Sequence, residues 1–229
     1  MKAFTLILIA ALALSAESSA GPARKLPPGA VRGLARLLDQ YPTVGLASPT
    51  QNVAAKRLLR ELRLSSQHWR DPDAAARAGF NTRRPHRRLG ETRVMWFHAE
   101  HRRWSQDGDH LNPRRPEVLI YADVPGKPLV LVGVMFSMPR GAHGPTPGGP
   151  ITRWHWHRVC VKGGKRGLSP GPGGTCPSGA TMRNGSEMMH VWFTSDLRSA
   201  YAIHAPEPEL CVAKRLPRDR CRHAGHAHS

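Results

Sequence analysis

The first third of the chain places apolar residues at helical spacing. Residues 31–40 and 51–64 each carry apolar side chains every three or four positions, the period of one helix face. Asp71 followed by Pro72 is a helix start signal and Gly79 is a stop signal, so a short helix is predicted over 73–78. The chain is therefore expected to begin with helices that dock an apolar face on a core.

After residue 93 the pattern changes to short runs rich in aromatic and β-branched residues, bounded by Gly and Pro. The turn signal at Pro125-Gly126 predicts that the second and third runs form an antiparallel hairpin. Helices followed by strands indicate an α+β fold, with an antiparallel β-sandwich or a partly closed β-barrel after the N-terminal helices. The predicted strands cover residues 94–98, 118–121, 129–138, 151–160, 188–193 and 201–204.

The first twenty residues read as a targeting segment rather than as part of the fold. Lys2 is a minimal charged region, an apolar run follows, and small residues end at Ala20, which predicts a signal peptide cleaved near Ala20. No other apolar stretch is long enough for a transmembrane segment. We therefore expect a secreted or periplasmic protein. The predicted regions are a signal peptide (1–20), a helical extension (21–66), a β-rich metal-binding domain (67–210) and a polar His-containing tail (211–229).

The formal net charge of +18 is high for a chain of this size. A strong positive field attracts anionic polymers of the cell envelope, and no feature indicates a specific nucleic acid. Arginine greatly outnumbers lysine, and Ala, Gly and Pro are plentiful, so a GC-rich genome is an alternative origin of this charge. The oligomeric state does not follow from the sequence.

Four cysteines, Cys160, Cys176, Cys211 and Cys221, give an even count that predicts disulfides in an exported chain. Of the three pairings we predict the sequential one, which closes two short loops. A crosslink of the first loop's length stabilises by about 3 kcal/mol. The competing interpretation is a zinc site that uses Cys160 and Cys176 together with histidines. Cys160 lies three residues after His157, so alternation points it to the opposite strand face.

A histidine pattern carries the sharpest chemical hypothesis. His155 and His157 share one face of a predicted strand because side chains alternate, and His190 lies in another predicted strand. Such a set predicts one divalent metal ion held by His155, His157 and His190, with a fourth ligand from His98 or Glu117. Imidazole ligands do not choose between Zn, Cu, Fe, Mn and Ni. The alternatives are that each histidine is a hydrogen-bonded core residue and that Glu117 pairs with an arginine.

The order of several motifs in the β-rich region carries a resemblance. These are Pro116-Glu117-Val118-Leu119-Ile120-Tyr121, Gly133-Val134-Met135-Phe136, Trp154-His155-Trp156-His157-Arg158-Val159-Cys160 and Met189-His190-Val191-Trp192. Together they resemble a family of uncharacterised exported bacterial proteins over about residues 70–202. That resemblance implies one domain and no established activity. A weaker resemblance links Gly149 and the following His155-X-His157 to the first cupin motif, although the glutamate of that motif is missing.

Two functions remain open at this point. The first is an exported soluble protein that binds one divalent metal through strand histidines, with its reaction unnamed. The second is a non-enzymatic, envelope-associated binding module that uses a basic surface. The Gly-X-Ser-X-Gly signature of serine hydrolases is absent from the chain, so no catalytic triad is predicted.

Overall fold

The computed structural model describes residues 40–84, 90, 92–164, 170–171, 174–221 and 225–227. The predicted signal peptide and nearly all of the predicted helix at 31–40 lie outside the described residues. The helices are α1 (Pro49–Ser65), α2 (Pro72–Ala78), α3 (Leu197–Ala200), α4 (Glu207–Ala213) and α5 (Arg218–Cys221). The strands are β1 (Met95–Glu100), β2 (Val118–Asp123), β3 (Val130–Ser137), β4 (Arg158–Val161), β5 (Thr181–Asn184), β6 (Met188–Trp192) and β7 (Gly225–Ala227).

Local capping explains where the first two helices begin and end. The Ser48 hydroxyl accepts from the Gln51 backbone N–H, and the Gln51 side chain accepts from the Ser48 N–H, so α1 starts with a capping box. The Asp71 carboxylate accepts from the Asp73 N–H at 3.0 Å, and Gly79 ends α2 with φ 108°. The predicted helices at 51–64 and 73–78 are confirmed.

The main sheet has the order β6-β3-β2-β1-β7. β1, β2, β3 and β6 pair antiparallel, and the short β7 pairs parallel with β1. The predicted β2–β3 hairpin is confirmed, and the two strands β4 and β5 form a separate antiparallel sheet. The α+β class is confirmed. Neither described sheet closes on itself, so the finer prediction of a sandwich or barrel is not confirmed.

The strand prediction at 151–160 is wrong in part, and the strand prediction at 201–204 is wrong. Only the end of the predicted strand at 151–160 is regular, since β4 begins at Arg158 and a single bridge, between His155 and Met188, lies before it. The predicted strand at 201–204 is a turn that follows α3. The Asp196 carboxylate caps that helix by accepting from the Ser199 N–H at 2.8 Å, which commits the chain to a helical turn immediately before the residues where apolar content suggested a strand.

The sheet is covered on both faces. One face packs Phe97, Leu119 and Val134 against α1 and α2, and the other packs Trp96, Ile120 and Trp192 against the C-terminal segment. In the region predicted as a polar tail, Cys211, Leu216 and Cys221 are buried in this second cluster. The residues up to Cys221 therefore belong to the folded layer. Among the described residues, no helix has the length and apolar character needed to cross a membrane.

Candidate metal site

The segment that carries His155 and His157 is attached to the free edge of β6. The His155 N–H donates to the Met188 carbonyl at 2.8 Å, and the Met188 N–H donates back to the His155 carbonyl at 2.7 Å. The Gly185 N–H adds a bond to the His157 carbonyl at 2.9 Å. Residues opposite each other in an antiparallel pair share a face, and so do residues two apart on one strand. His155 therefore lies diagonally beside His190.

Five imidazole rings form a continuous row in this region. The ring centres of His155 lie 5.1 Å from those of His157, 5.0 Å from His190 and 6.5 Å from His204. His157 and His204 are 5.6 Å apart, and His190 and His98 are 5.9 Å apart. The structure thus brings together all four histidines predicted as ligands, and it adds His204.

His155 is at the centre of the row and is buried. Its side chain is 8 % exposed, and neither ring nitrogen has a hydrogen-bond partner among the described residues. Burial lowers the pKa of His155 to about 3, with smaller contributions from His157, His204 and Arg153. The ring is therefore neutral at pH 7, and its buried polar atoms lack a recorded partner, a situation that calls for a bound water or ion.

His204 was not among the predicted ligands. It lies in the turn after α3, where the Ile203 N–H donates to the Gln40 carbonyl at 2.9 Å and the Trp192 indole N–H donates to the Ala202 carbonyl at 2.9 Å. Desolvation lowers the pKa of His204. Its residue is exposed, whereas His155 is buried, so the row opens towards solvent at this end. His204 ended the predicted strand at 201–204 but was not predicted as a ligand, and the structure places it in a turn instead.

His98 and His190 approach each other across two intervening strands of the main sheet. β2 and β3 separate β1 from β6, which at ordinary strand spacing places their backbones about 14 Å apart. The rings of His98 and His190 nevertheless come within 5.9 Å, and those of Trp96 and Trp192 within 6.4 Å. Gly133 lies between these side chains in the register and has no side chain to separate them.

Glu117 has a different environment from the histidines. Its carboxylate is fully buried and accepts hydrogen bonds from the Ser137 N–H at 2.7 Å and the Ser137 hydroxyl at 2.6 Å. His110 Nδ1 lies 3.4 Å from its second oxygen. Desolvation raises the pKa of Glu117, and these hydrogen bonds partly oppose that effect. The structure therefore accounts for both oxygens of Glu117 without the histidine row, and also without the arginine partner considered above.

The spacing of the rings can be compared with that of metal ligands. In the described parts of the chain, no group of three or more His, Cys, Asp or Glu side chains is already arranged to hold a metal ion. Two imidazoles on one tetrahedral zinc have ring centres about 5 Å apart, because each centre is roughly 3 Å from the metal. The distances from the His155 ring centre to those of His157 and His190 match that spacing. Convergence of their nitrogens requires ring rotation about side-chain bonds.

Both predicted disulfides are confirmed. Cys160 pairs with Cys176 and Cys211 pairs with Cys221, with Cα–Cα distances of 5.4 Å and 6.4 Å. No cysteine is free, which removes the zinc–thiolate alternative. The first bond closes the Gly- and Lys-rich loop after β4, and the second joins α4 to α5.

No protein-family model, curated protein or solved structure matches the chain. The resemblance to a family of exported bacterial proteins therefore stays a prediction that rests on the motifs given above. Any functional conclusion has to come from the geometry of the chain itself.

Proposed function

We propose that the protein binds one divalent first-row metal ion through His155, His157 and His190, with His204 as a fourth ligand at the exposed end. The observation that carries this proposal is the burial of His155 among other imidazoles, with no hydrogen-bond partner for either ring nitrogen among the described residues. A metal would bind one of these nitrogens. His98, at the far end of the row beside His190, would then lie outside the ligand set.

The electrostatics of the row favour the binding of a metal ion over the protonation of His155. Metals bind the neutral form of imidazole, and burial keeps His155 in that form at neutral pH. No proton then has to be displaced from His155 when the metal arrives. Sites built from imidazoles alone follow the general order of affinity in which Cu(II) exceeds Zn(II) and Ni(II), and these exceed Fe(II) and Mn(II). We expect the same order here.

The solvent-facing end of the row suits a site that keeps an accessible position. His157 is half-buried and His204 is exposed, so a metal held by the buried histidines would be reached from that side. With His204 in the fourth position, a water activated by the metal would bind at the exposed end as a fifth ligand or in place of His204. A metalloenzyme that acts on an extracellular substrate would use the site in this way, and a binding protein would present the metal there.

Metal titration of the full chain tests the proposal. In a background where His223, His226 and His228 are replaced by Asn, Cu(II) or Zn(II) is expected to bind with one-to-one stoichiometry in calorimetry. His157→Ala should abolish stoichiometric binding, and His204→Ala should weaken it about tenfold or more. The exposed His68 gives a matched control, since His68→Ala removes an imidazole outside the row.

Electron paramagnetic resonance of the Cu(II) complex provides a second measurement. Nitrogen hyperfine structure from three or four imidazoles is expected, and one nitrogen fewer in the His204→Ala variant. Copper that binds without nitrogen couplings, or binding that His157→Ala leaves unchanged, would refute the proposed ligand set. A metal-free protein after expression in metal-replete medium, with no uptake on titration, would refute metal binding altogether.

We also propose that the protein is exported, with the signal peptide removed near Ala20. The two disulfides support this compartment, because such bonds persist in oxidising environments. Mass spectrometry of protein isolated from an exporting host should find an N-terminus close to Gly21. A cytosolic protein that keeps its first twenty residues would contradict the proposal.

A further inference from the structure

A groove runs along the C-terminal half of α1, and none of the histidines of the row lines it. It has a volume of about 800 Å³ and lies between α1, the turn Gln67–Arg70, the ends of β3 and β6, and the end of α4. That volume falls in the usual range for sites that bind small molecules. Its basic residues are Lys56, Arg60, Arg63, Arg70 and Lys214, and its apolar residues include Leu59, Leu131 and Phe193.

The groove holds far more positive than negative charge. Asp196 is the one carboxylate among the described residues that line it, and that carboxylate already accepts a hydrogen bond from the Ser199 N–H. In the part of the chain that the structure describes, no ion pair joins any of the five basic side chains to an acid. Crowded cations without counter-charge repel one another, and a bound anion would relieve that repulsion.

The pKa of Lys214 responds to its burial and to the neighbouring positive charges. Lys214 is partly buried, and its ammonium nitrogen lies 5.4 Å from the centre of the Phe193 ring. Desolvation, together with the smaller effect of the Arg70 and Arg63 charges, lowers the pKa of Lys214 to about 8. An anion bound beside this amine would stabilise its charged form. The aromatic contact also shows that the charged head and the apolar wall are adjacent.

The apolar wall of the groove continues into the core. Leu59, Leu131 and Phe193 are buried but still line the groove, and Leu64 at its rim is 59 % exposed. A small inorganic anion would neutralise the charges but leave this wall in contact with water. A ligand that satisfies both features needs an anionic head for the basic residues and an apolar body for the leucines and Phe193.

We infer that this groove binds a single anionic amphiphile, a molecule with a phosphate head and an alkyl chain. The phosphate would contact Arg60, Arg70 and Lys214, and the chain would lie along Leu59, Leu131 and Phe193. The high overall charge of +18 attracts many anions without specificity, so the experiment has to separate groove binding from that general attraction.

Calorimetric titration of the full chain with dodecyl phosphate, kept below its micelle concentration, tests the inference. One molecule per chain is expected, with an affinity at least tenfold higher than that of inorganic phosphate and with no detectable binding of dodecyl maltoside. Arg60→Gln should weaken binding about tenfold, since an arginine–phosphate contact is charge-assisted. Lys214→Gln should weaken it as well.

Arg57 provides the matched control on the same helix. It does not line the groove, and its guanidinium pairs with Glu61 at 2.7 Å on the exposed face of α1. Arg57→Gln removes the same charge as Arg60→Gln, and it should change the affinity less than twofold. Both arginines are exposed, so neither substitution is expected to disturb folding.

Several outcomes would overturn the inference. Equal losses in Arg57→Gln and Arg60→Gln would assign binding to the general field of the protein. Equal affinities for inorganic and dodecyl phosphate would remove the role of the apolar wall. Binding to phosphatidylglycerol vesicles without binding to dissolved dodecyl phosphate would assign the attraction to a membrane surface. The absence of any binding would also refute it, and none of these outcomes bears on the metal site.

Discussion

A buried polar side chain stabilises a fold only when it has a partner. The hydroxyls of Tyr121 and Tyr201 meet this condition, since they donate to the carbonyls of Trp69 and Ala55 at 2.6 Å and 2.8 Å. The first bond joins β2 to the turn after α1, and the second joins the turn after α3 to α1. The imidazole nitrogens of His155 have no such partner among the described residues. Leaving a buried donor unpaired costs about 1–3 kcal/mol, and a bound metal would offset that cost.

The buried carboxylate of Glu117 gives a prediction at the scale of a single residue. Because the folded state raises its pKa, the folded protein keeps a proton that the unfolded chain has lost, so this group lowers stability as pH rises above about 4.5. Glu117→Gln keeps an oxygen for Ser137 and removes the charge. We expect this variant to be at least as stable as the wild type at pH 7 in urea unfolding, with a weaker pH dependence.

The matched variant is Glu117→Ala, which leaves the Ser137 N–H without its acceptor and should lose about 1–3 kcal/mol. Both variants should bind metal as the wild type does if the histidines alone are ligands. A clear loss of metal affinity in Glu117→Gln would restore Glu117 to the ligand set.

The sequence predicts some of these residues and misses others for physical reasons. Alternation along a strand places His155 and His157 on one face, and strand composition places His190 in a second strand. Both inferences use local chain geometry alone. Local geometry cannot identify His204, because the position of a turn residue depends on tertiary contacts such as the indole bond from Trp192 to Ala202. Glu117 was ambiguous because no local signal indicates that Ser137 would face it.

At the scale of elements, regular strands form where a neighbour offers a continuous ladder. β2 and β3 are predicted well because a short turn connects them and fixes their pairing. The segment 151–157 has the composition of a strand, but it meets β6 at a single bridged residue and continues into the separate β4–β5 sheet. Composition shows that a segment prefers strand structure, but it does not show whether a neighbouring strand is available to pair with it.

The disulfide between Cys160 and Cys176 gives a prediction about such an element. The two cysteines are sixteen positions apart in the sequence, so replacing both by Ser should lower the free energy of unfolding by about 3 kcal/mol. Urea denaturation of the oxidised wild type and the double variant measures the difference. The reduced wild type is the control, and it should lose at least as much because reduction also opens Cys211–Cys221. An unchanged midpoint in the double variant would contradict the prediction.

At the scale of the whole molecule, the fold is a mainly antiparallel sheet with helices on one face and the C-terminal segment on the other. The Val94 N–H donates to the Arg220 carbonyl at 3.0 Å, and β7 then pairs with residues Met95 to Phe97 of β1. The α+β order of this arrangement followed from the sequence. The wrapping of the C-terminus across the sheet did not, because the polar composition of residues 211–229 concealed the few buried positions.

Removal of residues 222–229 tests the role of this wrapping. The truncated protein loses β7 and exposes the outer backbone groups of β1, so size-exclusion chromatography with light scattering should show larger, concentration-dependent species than the full chain. A full-length variant with His223, His226 and His228 replaced by Asn keeps the strand and should behave as the wild type. A truncated protein with the same mass as the full chain at every concentration would contradict this expectation.

Because of the position of Cys211–Cys221, the exposure of this strand edge also depends on how the protein is stored. The bond fixes the helical turns that lead directly into β7, so its reduction would loosen the cover over the outer edge of β1. Exposed strand edges template fibril growth. A reducing storage buffer, usually chosen to prevent aggregation, would therefore promote it in this protein, and an oxidising one would extend its useful lifetime.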